Sequence, residues 1–191
     1  SGCKYFEWTY YRSSELLNGD YMMKKIFTGS TVVVGDNVDT DQIYPGCYLA
    51  LTDPKEIGSH GLAGIDEQIA RTFPKGGIIV AGKNFGCGSS REHAVIALLN
   101  MGAAAVVADS FARIFFRNSI NLGLPLIVSK EICGKIKTGQ SMTIDLEKGM
   151  ITVLESGQTY RCDRLGDQAM KILDAGGIKP LMKKRFLTKI Q

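Results

Sequence analysis

The stretch Gly86-Cys87-Gly88-Ser89-Ser90-Arg91-Glu92-His93 brings hydroxyl, cationic, acidic and imidazole side chains together behind two glycines. It follows an apolar run, Ile78-Ile79-Val80-Ala81, and precedes a helical pattern from Arg91 to Met101. In open α/β sheets ligands bind at such strand-to-helix junctions. Glycines at 86 and 88 allow close backbone approach to a ligand, and the N–H groups that open a helix favour an anion. The dinucleotide fingerprint fails, because Arg91 stands where its third glycine belongs, and no Gly-Lys-Ser/Thr closes a phosphate loop. The expected anion is therefore not a nucleotide phosphate.

Ser89 and Glu92 also have the spacing of a capping box, which by itself accounts for both. It does not account for Arg91, since a cation in a helix's first turn opposes the helix dipole. A bound carboxylate reverses that cost, because arginine grips carboxylates through two parallel hydrogen bonds. Arg91 is expected to contact a ligand, with a plain ion pair as the alternative.

A second polar stretch, Gly35 to Gly46, holds Asp36, Asp39 and Asp41 with no basic neighbour in sequence. It reads as an Asx-rich turn or as the source of a carboxylate that orients or tunes a catalytic acid. Its spacing misses the calcium-loop pattern.

The elements that must hold these loops follow from periodicity. Apolar runs at 31–34, 78–81, 104–108 and 126–128 read as buried strands. Helical patterns at 66–73, 91–101 and 111–121 lie among them, and residues 36–45 read as a polar loop. The alternation predicts βαβ units and a parallel core. After Lys137 come short strands at 142–146, 151–154 and 159–162, then helices at 167–175 and about 178–189. The last helix carries Lys183, Lys184, Arg185 and Lys189, a solvated basic face. The helix after Arg91 is apolar nearly all round and is expected to be buried, a rigid mount for the loop. Residues 1–25, with a non-periodic crowd of aromatics before Met22-Met23, read as an N-terminal extension, a leader or cloning remnant with a genuine extension that docks on a partner as the alternative, ahead of one domain at 26–191.

A chain of 191 residues, 45% hydrophobic and 22% charged, suits one well-filled domain. A net charge of +4 makes no case for nucleic acid, and the folded part lacks aromatic–basic interleaving. No apolar run reaches a membrane span. Five cysteines without a CxxC pair, and two histidines, match neither a disulfide framework nor a zinc site. Free thiols suggest a reducing, cytoplasmic setting, and no metal is expected on this chain.

The segments Gly35–Asp41, Gly86–His93, Ser110-Phe111-Ala112-Arg113-Ile114-Phe115-Phe116-Arg117-Asn118 and Asp174-Ala175-Gly176-Gly177 together resemble the small-subunit, or swivel, domain of the aconitase superfamily. The likeness runs from about Ile26 to Arg185 and rests on four motifs in order. It implies a single compact α/β swivel domain, a parallel-core sheet flanked by helices with short extra strands toward the C terminus. It implies a hydro-lyase, active only with its large subunit, that dehydrates and rehydrates a hydroxy di- or tricarboxylic acid. The family's [4Fe-4S] cluster, held by three cysteines, belongs to that large subunit, where its iron acts as Lewis acid on the leaving hydroxyl. Carried over by position, Ser89 is the general base for the Cα proton. Its alkoxide needs the helix N–H groups and the Arg91 charge around it. Ser90 and Arg91 bind a substrate carboxylate, and Asp41 pairs with a large-subunit histidine. Arg113 and Arg117, one turn apart, suit a scaffold or subunit interface better than catalysis. A homo-oligomer of the isolated chain stays open.

In that family the loop after the Asp-Thr-Asp motif reads the substrate's variable arm. Here it holds Tyr48, Leu49, Ala50 and Leu51, where members that handle a third carboxylate place an arginine near position 50. An apolar loop suits the isopropyl group of isopropylmalate, an intermediate of leucine biosynthesis. It would leave a third carboxylate unpaired, at a cost on the order of 3–5 kcal/mol for a broken buried pair. Citraconate, methylmalate and dimethylmalate remain alternatives, as does a non-catalytic carboxylate-binding module on the same fold.

Overall fold

The computed structural model describes residues 25–188, so the extension read at 1–25 lies outside the described residues except for Lys25. In chain order the elements are β1 (Ile26–Val33), α1 (Thr40–Ile43), a 3-10 turn (Gly46–Tyr48), α2 (Pro54–Gly58), α3 (Glu67–Thr72), β2 (Ile78–Ala81), α4 (Glu92–Met101), β3 (Ala105–Ala108), α5 (Arg113–Leu122) and β4 (Leu126–Val128). Then follow β5 (Ser141–Asp145), β6 (Met150–Val153), β7 (Thr159–Arg161), α6 (Asp167–Asp174) and α7 (Ile178–Thr188).

The strands form one sheet in the order β4-β3-β2-β1-β5-β6-β7. β1 to β4 are parallel neighbours, and β1 also pairs with β5 in antiparallel fashion. β5, β6 and β7 continue as an antiparallel meander, the extra strands expected toward the C terminus. Every residue of β2 and β3 is buried, as parallel strands covered on both faces require. Ile78 and Val80 face one apolar cluster with Phe27, Met142, Ile144, Ile151 and Val153. Ile79 and Ala81 face the other, with Ala94, Val95, Ala97 and Leu98 of α4. The sheet curls: the Asp163 N–H donates to the Val128 carbonyl at 2.8 Å, and Ser129 Oγ donates to the Arg161 carbonyl at 2.7 Å. The chain leaving β7 thus closes against the end of β4, which protects an otherwise open edge.

Four readings change. β1 begins at Ile26 and not at Thr31, because its first half pairs with β5 from Ile26↔Asp145 to Ser30↔Ser141. The polar loop at 36–45 contains α1. That helix rests on a capping box in which Asp39 Oδ1 accepts from the Gln42 N–H at 2.8 Å and Gln42 Oε1 accepts from the Asp39 N–H at 3.0 Å. The capping box read at Ser89 and Glu92 does not form: α4 starts at Glu92, and its N-cap is Arg91, with no side-chain cap bond. α2 was not expected at all; Asp53 caps it, with Pro54 in its first turn.

Candidate active site

Because β1 and β2 are parallel neighbours, the loops that leave them emerge at the same end of the sheet. The Thr40 N–H donates to the Cys87 carbonyl at 2.8 Å, and the Gly86 N–H to the Val38 carbonyl at 2.7 Å. Asp36 Oδ1 accepts from the Lys83 N–H at 2.7 Å. The loop after β3 joins them, with the Phe85 N–H donating to Ser110 and the Ala112 N–H to Phe85, both at 3.0 Å. Three loops are therefore one hydrogen-bonded body.

On that body Arg91 Nη1 donates to Asp41 Oδ1 in a short ion pair. Ser89 Oγ lies 3.2 Å from Thr40 Oγ1, and either can donate. Thr40 is buried, whereas Ser89 and Ser90 are exposed. Asn118 Nδ2 of α5 donates to the Ser90 carbonyl at 3.4 Å. A hydroxyl, a guanidinium and a carboxylate thus stand together at the carboxyl end of the parallel strands, facing solvent. That arrangement can bind a carboxylate and exchange a proton with its neighbouring carbon.

Residues 67–131 match the family of aconitase C-terminal domains. The chain is 47% identical over 162 residues to a 3-isopropylmalate dehydratase small subunit of Methanopyrus kandleri, spanning 85% of this chain and 95% of that protein. It is 48% identical over 163 residues to the methanogen homoaconitase small subunit of Methanocaldococcus jannaschii, spanning 85% and 94%. A crystal structure described as 3-isopropylmalate dehydratase from Methanocaldococcus jannaschii superposes with a TM-score of 0.83 at 48% identity, covering 86% of this chain and 97% of that one. The chain belongs to the 3-isopropylmalate dehydratase small-subunit family.

Within this small-subunit fold the residues singled out in the sequence converge in part. Ser89, Ser90, Arg91 and Asp41 come together. The basic neighbour that Asp41 lacks in sequence arrives from the second loop as Arg91, in the ion pair that the sequence reading left open as the alternative for that side chain. The Ser89 hydroxyl meets Thr40, and the Arg91 guanidinium points to Asp41. The glycines serve packing as well as turning: Gly86 has φ +77°, and a Cβ there would lie 2.2 Å from Phe115 Cγ. At Gly88, φ +97°, a Cβ would lie 3.1 Å from Thr40 Oγ1.

Tyr48 to Leu51 form a turn beside this cluster. The Tyr48 carbonyl accepts from Tyr44 Oη at 2.8 Å and from the Leu51 N–H at 3.0 Å. Leu49 and Ala50 are exposed. Arg113 and Arg117 line a depression of about 480 Å³ with Asp109, Phe116 and Lys130, next to the loop after β3. Thr40 is the residue that the sequence reading missed: it sits between two aspartates that drew attention, and only the tertiary contact to Ser89 marks it.

Among the described residues no three His, Cys, Asp or Glu side chains converge to hold a metal ion. Cys47, Cys87, Cys133 and Cys162 are all free thiols. No helix among the described residues is long and apolar enough to cross a membrane.

Proposed function

We propose that this chain is the small subunit of a hydro-lyase that interconverts 2-isopropylmalate and 3-isopropylmalate, a step of leucine biosynthesis, and that a large subunit completes its site. The observation that carries this reading is the solvent-facing cluster of Ser89, Arg91 and Asp41 beside a turn whose tip, Leu49-Ala50, offers no cation. Overall identity does not choose the acid, since one close relative is named for homoaconitase. The composition of the turn supports isopropylmalate: Leu49, Ala50 and Leu51 suit an isopropyl arm and offer a third carboxylate no cation.

In this reading Ser90 and Arg91 hold one substrate carboxylate, Arg91 through paired hydrogen bonds. Ser89 Oγ, as the alkoxide, takes the proton from the carbon next to a carboxylate, and the hydroxyl on the neighbouring carbon, protonated by the large-subunit histidine that Asp41 pairs with, leaves as water to give an alkene. Thr40 Oγ1 donates to that alkoxide, and the Arg91 charge stabilises it. Return of the proton and of water to the opposite carbons gives the isomer. Asp41, freed from Arg91 as the substrate takes its place, pairs with a histidine of the large subunit. The family's [4Fe-4S] cluster sits on that subunit. The four free thiols among the described residues suit a reducing, cytoplasmic setting.

The test is anaerobic reconstitution with a candidate large subunit, following alkene absorbance with isopropylmalate, citraconate, dimethylmalate and homoaconitate. Activity on isopropylmalate that neither subunit has alone supports the reading. Preference for a smaller malate moves the enzyme to another substrate, and a formed complex inactive on every acid leaves a carboxylate-binding module.

A further inference from the structure

The Tyr48 ring is held from two sides. On one, the His60 imidazole stacks on it face to face, centroids 3.7 Å apart and planes 12° from parallel. On the other stands Tyr44, fully buried, with its ring centroid 6.1 Å from that of Tyr48 and its hydroxyl on the Tyr48 carbonyl. Behind Tyr44, His93 lies nearly parallel at 6.4 Å. His60 belongs to the turn after α2, and that turn is clamped on the far end of α4. A Cβ at Gly58 would lie 2.5 Å from the Asn100 carbonyl carbon, and one at Gly61 would lie 2.7 Å from Met101 Sδ. Helix α4 therefore carries His93 at its start, next to the Ser89–Arg91 loop, and supports His60 at its end. The Leu49–Leu51 turn follows directly on Tyr48, whose carbonyl accepts from the Leu51 N–H at 3.0 Å.

We propose that His60 is a positioning residue for substrate choice: its stack on Tyr48 sets how far the Leu49–Leu51 turn stands from the Ser89–Arg91 cluster. This rests on the proposed reading of that turn as the part that meets the isopropyl arm. A stacked ring pair fixes both height and orientation, and the exposed tip of the turn, Leu49-Ala50, follows directly on the stacked Tyr48. His60 touches no substrate. It acts through Tyr48, so its loss affects binding of the variable arm and spares the proton transfer at Ser89.

The experiment uses the reconstituted two-subunit enzyme with His60→Ala, His60→Phe and Ala50→Arg, measuring kcat and KM for isopropylmalate and for the smaller citraconate-derived malate. His60→Ala is expected to raise KM for isopropylmalate about tenfold with kcat within roughly twofold, the pattern of lost binding common to ground and transition states. The KM for the smaller acid is expected to stay within about twofold, since a missing arm gains little from the turn. His60→Phe, which keeps a flat ring over Tyr48, is expected to restore the isopropylmalate KM. An unchanged KM in His60→Ala overturns the proposal. So does a fall in kcat for both acids that His60→Phe fails to rescue, because that is the mark of a general structural role. Ala50→Arg reports on the underlying reading: if it leaves acid preference unaltered, the turn does not read the arm. If it shifts preference while His60→Ala does not, only the brace is wrong.

Discussion

Asp41 and Arg91, fifty residues apart in the chain, meet in one ion pair across the loops that follow β1 and β2. The pair is partly solvated, with side-chain exposures of 59% for Asp41 and 29% for Arg91. An exposed pair contributes about 0–1 kcal/mol to stability, so folding depends little on it, and the proposed function gives it a role in binding instead.

Substituting either partner should accordingly separate activity from stability. Arg91→Lys keeps the charge but loses the paired fork. It is expected to lower kcat/KM for isopropylmalate by roughly 10–150-fold, the equivalent of about 1.5–3 kcal/mol for a charge-assisted hydrogen bond, while Tm moves by no more than about 3 °C. Steady-state kinetics beside a thermal melt check this. A large Tm drop with kinetics intact would make the pair structural.

Gly86 predicts the opposite behaviour. Its positive φ and the Phe115 ring against it leave no room for a side chain. Phe115 is itself buried and packs edge-on against Phe85, 5.5 Å between centroids. Gly86→Ala should cost about 3 kcal/mol, from backbone strain and overpacking combined. At about 2–4 °C per kcal/mol for a domain of this size, Tm falls by roughly 6–12 °C. A melt within 2 °C of the parent (about 0.5–1 kcal/mol on the same scale) would show that the loop can shift to admit a Cβ.

Asp145 gives a pH signature. The Lys148 N–H donates to its carboxylate at 2.9 Å, and the Glu147 N–H at 3.1 Å. The Lys148 backbone bond, with the Lys148 charge nearby and against a smaller opposing effect of burial, holds its pKa below the ordinary carboxylate value. Its contribution is therefore complete above the unfolded-state pKa and is lost as pH falls through the depressed folded value. Asp145→Asn should be less stable than the parent at neutral pH by about 1 kcal/mol. The difference should vanish in acid below that folded value. Denaturant midpoints across the range test it, and a pH-independent difference would contradict it.

How much of this was legible from sequence depends on the element. β2 and β4 match their expected limits to the residue, because Ile78–Ala81 and Leu126–Val128 are unbroken apolar runs bounded by glycine, proline or polar residues. The first half of β1 did not show, since Thr28, Gly29 and Ser30 carry no apolar alternation. What makes it a strand is its pairing with β5. A four-residue helix such as α1 has no periodicity to detect. Its Asp39-x-x-Gln42 spacing was a usable signal, but the same spacing at Ser89-x-x-Glu92 attracted the reading and forms no cap. At the site, Ser89, Ser90, Arg91 and Asp41 could be picked out by residue type and motif. Thr40 and His60 could not, because a hydroxyl contact and a ring stack between distant segments leave no trace in local spacing.

The central claim is that Ser89 performs proton transfer in a site shared with a large subunit. Its most direct test is the turnover of isopropylmalate by the reconstituted enzyme carrying Ser89→Ala, with complex formation confirmed by size and Tm. The account predicts an assembled, stable complex whose kcat falls about 10²–10⁴-fold, the span of a lost general base, with KM little changed. An assembled Ser89→Ala enzyme that turns over at the parent rate would contradict it, and the proton would have to leave by another group.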